Sequence, residues 1–269
     1  MKKFEIPYNF QSSWIDYYRN NEDLHEYIDF VYVGAVKEGN IKHARSCIKS
    51  FDYDWNEFDK HIKLLQNEKI KICILMQVGA TLELIEKYIK DYNINIFCIN
   101  DDELAKQLKE KYGNSIYLIL SITRIITVDE ILNNENLKYY DLINLHFWFN
   151  RKLHIIKKLP KKYMYSLLVS DYCYYNCKIA KQHWFCDDDK NIKCLSATKN
   201  TKFSTRIGNN DLKIFNKYID YYKISGKECH ASIIFDTLRG FVDGLNSKDK
   251  LSNNIEDEYS IIDKDDPKI

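Results

Sequence analysis

Long apolar runs are missing from this 269-residue chain, and none approaches the eighteen or more residues that a helix needs to cross a bilayer. The N-terminus also lacks a charged head followed by an apolar stretch and a cleavage site. The expectation is a soluble, cytoplasmic protein without membrane contact. Glycine and proline are scarce, at eight and three residues. With no glycine-rich linker and no solenoid-type repeat, one domain over residues 1–248 is expected. Familiar hydrolase signatures are absent as well: there is no G-x-S-x-G elbow, no H-E-x-x-H helix, and no cysteine with an evident histidine base and orienting group. Acids, too, are missing from one stretch, Leu142 to Ser170.

Net charge is +1, but the last twenty-one residues, Asp249 to Ile269, carry seven acids against three bases, leaving the body at +5. Residues 249–269 therefore read as an acidic, solvated and poorly ordered tail. Eight cysteines raise the question of disulfides, yet Cys73 and Cys98 lie inside apolar strand-like runs, which favours buried thiols in a reducing compartment. The abundance of Lys, Asn, Ile and Tyr suits a low-GC bacterial genome, so the twenty-one tyrosines carry little weight for any ligand.

Short apolar runs alternate with helical patterns. Strands are expected at Phe30–Val36, Ile70–Gln77, Ile94–Asn100, Ser115–Ser121, Tyr139–Phe147, Tyr163–Val169 and Tyr221–Ser225, and their early spacing is that of βα units in a parallel sheet. Helix starts are marked by Asp54 with Glu57, Asn100 with Glu103, and Thr127 with Glu130, and Gly113 marks a stop. Alternation by itself leaves a closed barrel and an open doubly wound sheet equally available. Between roughly 174 and 206 it is suspended. Inserts of that length in compact domains are usually functional or disordered.

That insert follows the sixth expected strand and bears Cys177, Cys186 and Cys194, with Cys173 just before it. Thiolates gathered at a strand end suit a soft metal. The spacing C-x3-C-x8-C-x7-C lacks the paired C-x2-C knuckles of a zinc ribbon and the C-x3-C-x2-C of radical S-adenosylmethionine enzymes. It leaves the metal open, zinc included, and Cys229 competes for a ligand position. Lys178, Lys181, His183 and Lys193 are close enough in sequence to keep thiolates ionised.

The stretch Leu168-Val-Ser-Asp-Tyr-Cys-Tyr-Tyr-Asn-Cys-Lys-Ile-Ala-Lys-Gln-His183 resembles the signature of the U32 peptidase-like proteins, in which a strand runs into C-x-x-N-C followed by a basic residue and a histidine. Tyr221-Tyr-Lys-Ile-Ser-Gly-Lys227 is similar to the family's late K-I-x-G-R strand, and Phe4-Glu-Ile-Pro-Tyr-Asn9 to its opening. Lys178 stands in place of the usual proline and Lys227 in place of the arginine. The resemblance implies a (β/α) TIM-like barrel, irregular or incomplete, and a [4Fe-4S] cluster held by Cys173, Cys177, Cys186 and Cys194. It also implies oxygen-independent hydroxylation of a small molecule or RNA, or peptidase activity under the older label, and a possible partner subunit.

His183, Lys223 and Lys227 are the expected catalytic groups, positioning an anion or moving a proton. Lys223 and Ser225 share one strand face, and Gly226 allows close backbone approach. Asn100, Arg124, Asn144 and His146 fall near strand ends, where a barrel has its mouth. Arg151 to Lys162 carries six bases and no acid, a patch that could contact RNA phosphates or form a solvated helix face.

Overall fold

The computed structural model describes residues 2–41, 53–171, 204–226 and 229–262. Eight parallel strands pair in chain order: β1 (Lys3–Pro7), β2 (Ile28–Gly34), β3 (Ile72–Met76), β4 (Ile96–Ile99), β5 (Tyr117–Leu120), β6 (Leu142–Leu145), β7 (Tyr165–Leu168) and β8 (Tyr221–Lys223). β8 closes on β1 through Phe4↔Tyr222 and Glu5↔Lys223. The expected TIM-like barrel is therefore present, closed and complete. The first strand was not expected, so the cysteine-bearing insert follows the seventh strand, not the sixth.

Helices lie between the strands: α1 (Ser13–Arg19), α2 (Trp55–Asn67), α3 (Leu82–Tyr92), α4 (Asp102–Tyr112), α5 (Val128–Asn133), α6 (Leu153–Ile156), α7 (Leu212–Phe215) and α8 (Ala231–Asn246). Their starts follow capping chemistry. The Asp54 side chain accepts from the Glu57 N–H, and Thr127 with Glu130 forms a reciprocal capping box. For α4 the cap is Asp101, whose carboxylate takes the N–H groups of Glu103 and Leu104; Asn100, the expected cap, instead bonds Thr123. Gly113 ends α4 at φ 56°, a left-handed conformation that glycine adopts without Cβ strain.

Outward strand residues such as Phe4, Ile6, Val31, Val33, Phe97 and Leu118 pack under the helices against Trp14, Phe58, Tyr88, Leu108 and Phe241, all buried. Each such side chain contributes about 1.5–3 kcal/mol relative to exposure. Both faces of a barrel strand are covered, which is why β3 reads Ile-Cys-Ile-Leu-Met without alternation.

The described part of the acidic tail is largely exposed and is anchored by two buried side chains. A last short helix, α9 (Ile255–Glu258), buries Ile255, and Tyr259 after it is 3 % exposed. Ser260 bridges Lys152, and the Ile261 N–H donates to the Arg151 carbonyl. Among the described residues no helix is long and apolar enough to cross a membrane.

Candidate functional site

Every second residue of a strand enters the barrel, and in eight-stranded barrels these residues fill layers of four, each layer supplied by alternate strands. Such layers are ordinarily branched and aliphatic. Here the even strands contribute Tyr32, Cys98, Asn144 and Lys223, and the odd strands contribute Glu5, Cys73, Ile119 and Ser166 just beneath. Contacts within and between these layers confirm the placement. Lys223 Nζ stands 4.0 Å over the Tyr32 ring, Asn144 Nδ2 is 3.9 Å from Cys98 Sγ, and Ser166 Oγ donates to Glu5 Oε1.

The centre of this arrangement is an ion pair, Lys223 Nζ to Glu5 Oε2 at 2.6 Å, with side chains 8 % and 0 % exposed. Burial alone would depress the ammonium. Burial is the largest single influence, but the opposing ones, led by the Glu5 carboxylate, together exceed it, and the Lys223 pKa is raised overall. Lys223 is thus a fixed cation and a poor nucleophile. Burial pushes the Cys73 thiol well above its ordinary value, so it stays protonated and inert near neutral pH.

Toward the C-terminal ends of the strands the polar character continues. His146 follows β6, and its Nδ1 accepts from the Trp148 N–H at 3.3 Å; burial lowers its pKa to about 3, so the ring is a neutral hydrogen-bonding group. Ser170 Oγ and Ser225 Oγ meet at 3.0 Å after β7 and β8. Gly226 has φ +116°, and a Cβ there would lie 3.3 Å from Cys229 Sγ. Cys229 is partly exposed, and its carbonyl accepts from Asn9 Nδ2 at 2.7 Å, which ties it to the chain leaving β1.

The residues that flank the cysteine-bearing stretch lie at this mouth: Thr205 Oγ1 donates to the Asp171 carbonyl at 3.3 Å. Asn150 Nδ2 donates to both the Leu168 and Thr205 carbonyls at 2.7 Å, and Arg151 Nε to the Ser204 carbonyl at 2.7 Å. The Arg151 guanidinium lies 4.5 Å over the Tyr259 ring, and the Tyr259 hydroxyl donates to Asp211 at 2.7 Å.

Of the expected site residues, Lys223 is placed inside the barrel. Cys173, Cys177, Cys186, Cys194, His183 and Lys227 lie outside the described residues. Asn100 reaches Thr123 at 3.0 Å. Arg124 is committed elsewhere: it pairs with Asp102, which also accepts from the Tyr140 hydroxyl and Asn134, a network joining α4 to the chain after β5. Arg151 and Lys152 of the basic stretch are buried, and Lys157 pairs with Glu256 at 2.6 Å. Glu5 and Ser166 were not expected. A lone acid in the strand-like Phe4-Glu-Ile-Pro was their one sequence signal.

A cavity of about 680 Å³ opens at the opposite end of the barrel, among the first residues of the strands, with Asp29, Tyr117 and Tyr221 in its wall. Asp29 there is held by Lys71 at 2.7 Å and by the Tyr221 hydroxyl at 3.0 Å. That end of a barrel serves stability, and the chemistry belongs to the other.

No family model matches the sequence, and no curated protein matches it. Among solved structures the chain is similar to a U32 peptidase, at 11 % identity over 84 % of this chain and 94 % of that one, with a TM-score of 0.57. A tryptophan synthase complex from Pyrococcus furiosus aligns at 10 % identity over 91 % of this chain and 97 % of that one, with a TM-score of 0.49. The first likeness shows a shared barrel fold.

Proposed function

We propose that the chain is an iron–sulfur protein on a U32-like barrel, with a [4Fe-4S] cluster held at the mouth by Cys173, Cys177, Cys186 and Cys194. On this reading it takes part in an oxygen-independent, hydroxylation-type modification of a small molecule or RNA. The supporting observation is the anchorage of the cysteine-bearing segment. It departs after Asp171 and is received at Thr205 on the same strand end, so both its ends belong to the face where barrels carry out chemistry.

The donor chemistry fits in part. Among the described residues no set of three His, Cys, Asp or Glu is gathered for a metal, so the donors have to come from Cys173 to Cys194, with Cys229 at the mouth as a further candidate. A bound cluster supplies one-electron transfer. Beneath the mouth, the Lys223 ammonium is held in place by Glu5 and keeps protons to donate to a polar group of a substrate. Neutral His146, whose Nδ1 already accepts from Trp148, carries its proton on Nε2 as a donor, and His183 and Lys227 would position an anion or move a proton.

Proteolysis is not carried over from the structural relative. The barrel thiol Cys73 is held protonated by burial, and the sequence has no serine elbow or zinc helix. A small-molecule substrate is favoured over RNA bound through Arg151–Lys162, because two of those bases are buried and the exposed Lys161 and Lys162 directly precede β7, at the end away from the mouth. Iron, acid-labile sulfide and zinc analysis of the wild type and of a Cys173→Ala/Cys177→Ala variant tests the reading. Iron with matching sulfide, lost in the variant, is expected; zinc or no metal would refute it.

A further inference from the structure

Asn144 is 2 % exposed, and among the described residues its Oδ1 has no hydrogen-bond partner. A buried amide oxygen left without a donor costs about 1–3 kcal/mol, and native structures keep few of them. The amide's other end makes only the long 3.9 Å approach to Cys98 Sγ, so nothing in the fold demands an amide here. Leucine would fit an ordinary barrel layer better. The oxygen shares its layer with Lys223, whose ammonium is aimed by Glu5 and still has protons to donate.

We infer that Asn144 Oδ1 and Lys223 Nζ form a binding site for a neutral hydroxyl group of a small ligand that enters from the mouth. A ligand hydroxyl meets both demands, donating to the amide oxygen and accepting from the ammonium, in the manner of a buried water. Charged groups are disfavoured. The Lys223–Glu5 pair is already neutral, an added anion would face the Glu5 carboxylate, an added cation would face Lys223, and either would be desolvated. Lys223 keeps 8 % of its side chain open while Glu5 is sealed, so the approach lies on the lysine's side. The substrate class that follows is a neutral hydroxylated compound, polyol-like or alcohol-bearing. The inference rests on the mouth being the working face and is independent of iron.

The test is a titration of the isotopically labelled full chain, followed by NMR through the Asn144 side-chain amide, with glycerol as the neutral hydroxyl probe and acetate and ethylammonium as charged ones. The Asn144 signal is identified by its loss in Asn144→Leu. Glycerol is expected to shift it saturably and the charged probes to leave it unmoved. Lys223→Met is expected to weaken glycerol about tenfold, the equivalent of one hydrogen bond, and Asn144→Ser supplies a second variant if Asn144→Leu does not fold. No saturable shift with glycerol, or a larger response to acetate, would overturn the site. Iron content measured on the same samples separates this outcome from failure of the cluster reading, because Asn144→Leu should leave iron unchanged.

Discussion

Glu5, in the first strand, and Lys223, in the last, meet at 2.6 Å inside the barrel, so the pair that seals β1 to β8 also fixes the Lys223 ammonium under the mouth. Removing one partner leaves the other charge buried. Glu5→Gln and Lys223→Met should each cost about 3–5 kcal/mol, whereas the double change Glu5→Leu/Lys223→Met should recover most of the loss. Urea unfolding of the three variants checks this, and additive losses in the double variant would contradict it.

The same pair sets an alkaline limb. Burial opposes the Lys223 charge, but the raising influences led by the Glu5 carboxylate together exceed it, so its folded pKa lies above the unfolded value. The folded state then holds the proton more tightly, and the stabilisation is fully present below the unfolded value of about 10.4 and is lost as pH rises through the folded one. Unfolding free energy should fall above about pH 10.4 in the wild type and stay flatter there in Lys223→Met.

His146 gives an acid limb of opposite origin. Its folded pKa is about 3 because of burial, so below the unfolded value of about 6.5 only the unfolded chain takes up the proton. Stability should decline as pH falls from about 6.5 toward 3, and His146→Phe should remove that part of the slope. An NMR titration of the imidazole that places its pKa near 6.5 would contradict the assignment.

Tyr259 links the C-terminal segment to the chain that returns to β7. Its hydroxyl accepts from the Gly208 N–H and donates to Asp211, and its ring lies under Arg151. Tyr259→Phe should cost about 1–2 kcal/mol and raise the hydrogen-exchange rate of the Gly208 amide selectively. An unchanged Gly208 rate would show that the segment does not hold this limb.

Much of the barrel is legible in the sequence, because strands covered on both faces are largely apolar and α2 and α5 carry an Asp or Thr cap with Glu three residues on. β1 escaped that reading for the reason that makes it interesting. Glu5 breaks its apolar run, and the distant Lys223 and Ser166 make a buried acid acceptable there. Lys223 itself was visible as part of Lys-Ile-Ser-Gly-Lys, but its partners Glu5 and Tyr32, and Ser166 on the far side of Glu5, come from three other strands, and no local pattern joins them. The basic run after Arg151 misleads in the opposite sense, since Arg151 is spent on the carbonyls of Ser204, Arg206 and Glu258.

The most direct measurement of the account is the visible absorption of protein purified without oxygen, with iron and sulfide counted on the same sample. A brown protein with four iron and four sulfide per chain is predicted. Its colour should vanish in Cys173→Ala and Cys177→Ala and persist in Cys73→Ala and Cys98→Ala, whose thiols lie inside the barrel. A colourless protein, or one that keeps its iron after both Cys173 and Cys177 are replaced, would contradict it.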